Sequence, residues 1–391
     1  MQYIEENAIA LEEYKESLEI FLSLADDNPK EYLPYGVKVI INMGNLFSQC
    51  NEKSHALKSY ETAMGILKTL TGNDKNVFTP DMAGTSYNLG LLYKDINEYP
   101  KALENFEESL KMYKILANYD HKSYFQYMVN SLKNLIGVLS EIGENYFNQE
   151  NYIEAENYFI RCVEIGKELE IASPDANLFG VANVLHKLGG LHSERKEYSK
   201  ALNEYEEALK IYRNLTNDNL KIFSPALIMT TLGMLGGIHS ENKNYQKAVE
   251  MHEEVSKICK NIIDDNPKLY DENPQLYLSM LISNYGVLSC YYLFIKEYSK
   301  SEQSTLLTLE LDNTQTSVKT NLAHALLFQN RFSEAEAIYK ELSQTTYKKN
   351  KTYTKTLLEE LKELEKANVI PAESKADVEK IRKMSNKKKK K

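Results

Sequence analysis

The stretch from Lys187 to Leu209, KLGGLHSERKEYSKALNEYEEAL, contains the pattern that decides the fold. Gly189 is followed three residues later by His192, and Ala201 stands twelve residues after the glycine. The pattern recurs in NLGLLYKDINEYPKALENFEESL at residues 88–110 and in TLGMLGGIHSENKNYQKAVEMHEEV at residues 231–255, with tyrosine or histidine at the third position. Self-similarity of this kind indicates a repeat architecture in place of separate globular domains.

Seven pairs of small residues, always twelve apart, run down the chain. They are Gly44/Ala56, Gly90/Ala102, Gly143/Ala155, Gly189/Ala201, Gly236/Ala248, Ser289/Ser301 and Ala323/Ala335. The second members are separated by 46, 53, 46, 47, 53 and 34 residues, and a half-repeat with Ala10, Tyr14 and Ser17 precedes them. The longer intervals predict extended helices with a linker between repeats.

Each repeat has two stretches of apolar residues at helical spacing, split by a short polar turn such as residues 94–98. This arrangement predicts an antiparallel pair of helices. The small residues let the two backbones approach closely, and large rings fill the remaining space. One pair cannot bury both of its faces, so each pair must stack on the next one to form a solenoid.

The pattern resembles the tetratricopeptide repeat over residues 1–345, in the long-helix form of kinesin light chains and bacterial sensor or adaptor arrays. The resemblance implies an all-α, right-handed superhelical solenoid of about seven helix pairs, with an N-terminal half-repeat and a C-terminal capping helix. Residues 346–385 are expected to form the capping helices, because Leu357, Leu358, Leu361 and Leu364 make a one-sided apolar stripe. Residues 386–391 are expected to be a disordered lysine tail.

Charge is unevenly distributed along the chain. Lys380–Lys391 carries eight basic residues and no acid, whereas the preceding chain has 39 basic against 56 acidic residues. An acidic body repels phosphate backbones, so nucleic acid is an expected partner only through Lys387–Lys391. A short run of like charge is more commonly a solvated end.

The four cysteines are far apart and form no C-x-x-C pair, which predicts neither a zinc site nor a disulfide framework. No stretch approaches the roughly 18 apolar residues of a membrane span. A cytoplasmic protein is expected.

Signatures of catalysis are missing from the sequence. It contains no phosphate-binding loop, dinucleotide fingerprint, zinc-protease helix or nucleophile elbow, and no strand pattern that would support an α/β active site. His192, His239 and His252 stand where other repeats place packing rings, so they are interpreted as core residues. A non-enzymatic protein without cofactor or metal is predicted.

The family resemblance implies that the first helix of each repeat lines a concave groove. Asn42, Asn88 and Asn321 stand two residues before the small residue and resemble the asparagine ladder of the kinesin light chain groove. An amide at this position can hold a peptide backbone through its donor and its acceptor. Asn45 and Tyr87 complete the candidates in the first two repeats, and the alternative is that these side chains are merely exposed.

The fourth and fifth repeats differ, because Gly190 and Gly237 follow the small residue directly. Glu194 and Glu241 come next on the same face, with His186 nearby in the sequence. These residues suggest a narrow acidic pocket for a basic or amine-bearing segment. The alternative is plain helix contact and solvation.

Three functions remain open from the sequence. The first is a scaffold or adaptor that binds a protein or peptide in the groove. The second is a sensor array that controls a separate effector, such as an NTPase or protease, in a bacterial signalling or defence complex. The third is an RNA-associated protein that uses the lysine tail. The N-terminal half-repeat lacks its first helix, which predicts an uncovered apolar helix face. Two explanations stay open: the chain is a segment of a longer polypeptide, or its first helix docks a partner or a second copy of the chain.

Overall fold

Seven tight turns between helices set the architecture of the chain. Its structure is a computed structural model that describes residues 2–72, 80–176, 178–216, 224–344, 346–348 and 351–387. The chain divides into two compact units, residues 1–191 and 192–391. The boundary falls inside the eighth helix.

The helices of the first unit are long. They are α1 (Gln2–Asp27), α2 (Pro29–Gln49), α3 (Lys53–Thr71), α4 (Pro80–Asp95), α5 (Tyr99–Tyr119), α6 (His121–Asn148), α7 (Tyr152–Ala172) and α8 (Phe179–Glu194), whose last three residues fall in the second unit. Proline stands in the first turn of α2 and α5, where its missing N–H leaves no hydrogen bond unmade.

The second unit continues with α9 (Tyr198–Thr216), α10 (Ser224–Glu241), α11 (Tyr245–Asp265), α12 (Pro267–Glu272), α13 (Pro274–Phe294) and α14 (Tyr298–Leu311). After a 3-10 turn at Thr316–Val318 come α15 (Lys319–Phe328), α16 (Phe332–Gln344), β1 (Thr346–Lys348), β2 (Lys351–Thr352), α17 (Thr354–Lys366) and α18 (Lys375–Lys387). The strands β1 and β2 form one antiparallel pair, with Thr346 opposite Thr352. This pair is too small to serve as an α/β scaffold.

Each of the seven turns contains one residue in the left-handed backbone region, five positions before the second small residue of its repeat. In the turn from α10 to α11 this residue is Lys243, with φ of 59°. The N–H of Asn244 donates to the carbonyl of His239 at 2.8 Å, which satisfies a carbonyl at the end of α10. The equivalent residues are Asn51, Asn97, Glu150, Lys196, Lys296 and Asn330, so glycine occupies none of the seven turns.

The small residues are where the helices of a pair meet. All seven second members, from Ala56 to Ala335, are fully buried. A Cβ added to Gly143 would lie 2.5 Å from the ring of Phe159, which stands sixteen residues later on the second helix. Gly44, Gly90 and Gly236 face the rings of Tyr60, Phe106 and His252 in the same way, at 2.6 to 2.8 Å.

The C-terminal helices pack onto the last helix pair. Leu357, Leu361 and Leu364 of α17 and Val378 and Ile381 of α18 belong to one buried cluster with α15 and α16. Helix α18 extends to Lys387, two residues into the segment predicted as a disordered tail, and residues 388–391 lie outside the described part of the chain.

Helix α1 packs on α2 but keeps aliphatic side chains in solvent. Leu18 contacts the core of the first unit, whereas Ile9 and Ile20 are more than half exposed. Docking or self-association through α1 remains a prediction. Among the described helices, none is both long enough and apolar enough to cross a bilayer.

Candidate functional site

The first helices of consecutive pairs in the first unit are linked by side-chain amides. Asn88 of α4 donates from Nδ2 to Oδ1 of Asn45 on α2 at 3.1 Å, and the hydroxyl of Tyr60 donates to the same oxygen at 2.6 Å. Burial raises the pKa of Tyr60 to about 12, so its hydroxyl is a donor at neutral pH. Asn45 and Asn88 are therefore held in fixed orientations on a half-buried surface.

A second contact links α4 to α6, which is the first helix of the next pair. Asn134 of α6 donates to the hydroxyl of Tyr87 on α4 at 2.9 Å, and to the carbonyl of Asn130 one turn earlier. The Tyr87 ring meets Phe106 edge-on, with ring centroids 5.7 Å apart, and burial raises the pKa of Tyr87. We call Asn45, Tyr87, Asn88 and Asn134 the amide row.

Asn134 is the member that sequence reasoning missed. It stands nine residues before Gly143, outside the few positions around the small residue that the family resemblance selects. A signal for it exists in the sequence, because Gln126, Asn130 and Asn134 follow one another at intervals of four residues. Such spacing places three amides on one face of α6, and Gln126 does donate to Asn130 at 3.1 Å.

The other two predicted asparagines have different environments. Asn42 is exposed on α2. Asn321 of α15 lies in the second unit and donates to the hydroxyl of Ser289 on α13 at 2.8 Å, again linking two first helices. The amide-to-neighbour contact thus occurs in both units.

The predicted acidic pocket draws its residues from both units. His186 is half-buried in the first unit, where burial, followed by the charge of Lys187, lowers its pKa. Glu194 and Glu241 belong to the second unit and are exposed at the C-terminal ends of α8 and α10. The pocket that would join them remains a prediction.

Glu241 adjoins a group of aromatic rings. Tyr245 stacks on Phe294 with ring centroids 4.2 Å apart, and its centroid lies 6.1 Å from that of Tyr291. Burial raises the pKa of both tyrosines, and the charge of Glu241 adds to the effect. A carboxylate beside half-buried rings is an environment that attracts a cation.

The histidines at ring positions are buried. His192 pairs with Glu204 at 2.7 Å, and Nδ1 of His252 lies 2.6 Å from Oδ1 of Asn284. Since that amide oxygen only accepts, Nδ1 of His252 carries the proton. In the described part of the chain, no group of three or more histidine, cysteine or acidic side chains is placed to hold a metal ion.

Family models of the tetratricopeptide repeat match residues 83–122, 135–214 and 228–267. The chain is a tetratricopeptide repeat protein, as its sequence pattern predicts. This fold is generally a non-enzymatic protein-interaction fold, and the chain is accordingly a protein-interaction scaffold. Its likeness to the kinesin light chain type remains a prediction, and no curated protein sequence matches the chain.

Several solved structures resemble the chain at low identity. BtubC (BKLC) from P. vanneervenii is 20% identical, covering 67% of this chain and 94% of that one, with a TM-score of 0.33. The C-terminal part of a TPR repeat-containing protein from Cytophaga hutchinsonii is 14% identical, covering 81% and 98%, with a TM-score of 0.37. A Rap protein complexed with Competence and Sporulation Factor is 13% identical, covering 98% and 99%, with a TM-score of 0.33. At these identities and scores, no function is carried over to this chain.

Proposed function

We propose that the chain is a scaffold that binds an extended peptide segment of a partner protein along the first helices of its first unit. The observation that supports this proposal is the amide row, which connects α2, α4 and α6 through side chains on a half-buried surface.

The amide row suits recognition of a peptide backbone. A primary amide offers two donors and two acceptor sites. The contact from Asn88 to Asn45 uses one donor of Asn88 and one acceptor site of Asn45, and the Tyr60 hydroxyl occupies the other acceptor site of Asn45. That contact fixes the amide orientation before a partner arrives, so little side-chain entropy remains to be lost on binding. The Tyr87 ring supplies apolar contact area beside the amides.

The second unit adds a preference for positive charge. Exposed Glu241 beside Tyr245 and Tyr291 offers a carboxylate next to aromatic faces, which favours a lysine or arginine of a segment bound at the second unit itself. Glu194 supplies further negative charge in the same unit.

The test is a selection of random displayed peptides against the intact chain, followed by fluorescence anisotropy with the selected peptides. Tyr87→Ala combined with Asn88→Ala is expected to weaken binding by roughly tenfold, which is the effect of losing one or two well-placed contacts. Asn105→Ala on α5, whose amide donates only to the carbonyl of Lys101, is the matched control and is expected to bind normally. Equal binding by both variants would refute the proposed surface.

Charge preference is tested separately. Glu194→Lys with Glu241→Lys is expected to abolish selection of lysine-rich and arginine-rich peptides, whereas Glu250→Lys, exposed on α11, retains it. If the double variant selects the same basic peptides as the unaltered chain, the acidic surface has no part in binding.

A further inference from the structure

The outer face of α7 carries exposed isoleucines. Ile153, Ile160 and Ile171 are 70%, 42% and 84% exposed. Their spacing of seven and eleven residues places all three on one side of the helix, over a length of about 27 Å. Buried residues of α7 such as Cys162 and Leu169 lie on the opposite side. We call Ile153, Ile160 and Ile171 the isoleucine stripe.

The stripe is not a general feature of the repeats. The second helices α3, α5, α9 and α11 can be aligned with α7 on their small residue, which is Ala155 in α7. The counterparts of Ile160 are then Glu61, Glu107, Glu206 and Glu253, and those of Ile153 are Ser54, Pro100, Ser199 and Gln246. An apolar stripe where other repeats present polar residues to solvent indicates an interaction surface.

Two charged residues stand between Ile160 and Ile171. Glu164 and Lys167 are both exposed, so the order along this face is isoleucine, glutamate, lysine, isoleucine, at intervals of four, three and four residues. These intervals are those of helices that pack along a common seam. Two copies of the face, laid antiparallel about a two-fold axis, bring Ile160 against Ile171 and Glu164 against Lys167 of the second copy. The face is therefore complementary to itself in both polarity and charge.

Helix α1 has a face of the same spacing but of different charge. Ile9, Glu13, Glu16 and Ile20 are all exposed. Two α1 helices in the same antiparallel arrangement would oppose glutamate to glutamate twice, and α1 against α7 would do so once. Of these three pairings, α7 with α7 alone gives two attractive charge contacts and no repulsive one. The charges therefore favour a second copy of α7 as the occupant of the stripe.

From this complementarity we propose that the outer face of α7 is the contact surface of a homodimer, in which α7 packs antiparallel against α7 of a second copy of the chain. The isoleucines leave water in this contact and supply most of the affinity. Lys167 also interacts with another group of its own chain, so its contact with Glu164 of the second copy contributes register and direction more than affinity. A contact of one helix with one helix is small, and a weak dimer is expected.

Sedimentation equilibrium of the full chain at about 10–500 µM tests the proposal, because a weak dimer forms progressively over such a range. Ile160→Ser with Ile171→Ser is expected to weaken dimerisation by roughly tenfold or more. The melting temperature of that variant should change little, since both side chains are exposed. Ile9→Ser with Ile20→Ser on α1 is the matched control, with the same spacing, and is expected to dimerise normally.

Charge reversal tests the antiparallel register. Glu164→Lys alone and Lys167→Glu alone each oppose like charges twice across the two-fold axis, so each variant is expected to dimerise roughly tenfold more weakly. An equimolar mixture of the two variants opposes lysine to glutamate at both places. The mixture is therefore expected to form a heterodimer at least as stable as the dimer of the unaltered chain.

Three results would overturn the proposal: an unaltered chain that stays monomeric up to about 500 µM, where even a weak dimer is populated, a double isoleucine variant of α7 that dimerises normally, or a mixture of the charge-reversed variants that stays monomeric. Loss of the dimer in the α1 control would also overturn it. Because α7 contributes nothing to the amide row, the double isoleucine variant of α7 still binds the selected peptides. Failure of one proposal is thus distinguishable from failure of the other.

Discussion

Replacing Gly143 with alanine tests the packing that defines every repeat. The added Cβ would lie 2.5 Å from Cε1 and 2.6 Å from Cδ1 of Phe159, whereas carbon atoms in contact prefer roughly 3.5–4.0 Å. Phe159 is fully buried and cannot swing into solvent, so the helices must move apart by about 1 Å.

The expected cost follows from two opposing effects. Overpacking of this kind costs roughly 1–3 kcal/mol. Alanine in a helix interior recovers about 1 kcal/mol relative to glycine. Gly65→Ala in α3 isolates the second effect, because nothing lies within 4 Å of its added Cβ. We expect Gly65→Ala to stabilise the protein by about 1 kcal/mol and Gly143→Ala to be about 1–3 kcal/mol less stable than that control.

Urea unfolding followed by helical circular dichroism measures both variants. The Cβ added by Gly143→Ala clashes with the Phe159 ring, and Phe159→Leu replaces that ring with a smaller side chain. The loss of unfolding free energy caused by Gly143→Ala should therefore be smaller in the double variant, by at least about 0.5 kcal/mol. If Gly143→Ala is as stable as Gly65→Ala, the close approach of the two helices does not constrain this position and the packing argument fails.

Three further predictions concern the turns, the buried histidine and the thiols. Lys243→Gly removes the backbone strain of a lysine in the left-handed region and should raise the free energy of unfolding by about 0.5–1 kcal/mol. Lys247→Gly in α11 should lower the free energy of unfolding by a similar amount. The reverse order of stability in urea melts would contradict the turn assignment. Burial lowers the pKa of His252, so the unfolded chain takes up a proton near pH 6.5 before the folded chain does. Stability should be full above about pH 6.5 and fall below it by up to about 1.4 kcal/mol per pH unit for this histidine, and His252→Phe should reduce that slope. A thiol reagent at about pH 8 should label only exposed Cys50 in the native protein and all four cysteines in denaturant. Burial raises the pKa of Cys162, Cys259 and Cys290 to about 12, 11 and 12. A second fast native thiol would contradict the burial of Cys162 and Cys259 or the raised pKa of half-buried Cys290.

The sequence located the helix pairs well because the repeat pattern is local and strictly spaced. The twelve-residue interval from Gly44 to Ala56 spans one turn and two helix ends, and the same interval gives the position of the left-handed residue in each of the seven repeat turns. The residue types at those turns did not reveal the conformation, since lysine, asparagine and glutamate occupy it in place of glycine. Hydrogen bonds of the helix end, together with the packing on either side, impose the strained backbone there.

The candidate site was only partly predictable. Position within a repeat selected Asn45, Tyr87 and Asn88, but it gave no partner for any of them. Asn88 meets Asn45, and Tyr87 meets Asn134, across sequence separations of 43 and 47 residues. Such contacts depend on how far each pair is rotated on the next one, which helical periodicity does not specify.

By itself, the sequence determined that this protein is an all-helical array of tetratricopeptide repeats. Helical periodicity and the spacing of small residues act within one repeat, and those are properties that a linear pattern can encode. The tertiary structure alone decided which polar groups share a surface. It linked the amide row across α2, α4 and α6. The physical reason is that charges and amides interact through space over a few ångströms, and stacking of successive helices sets those distances.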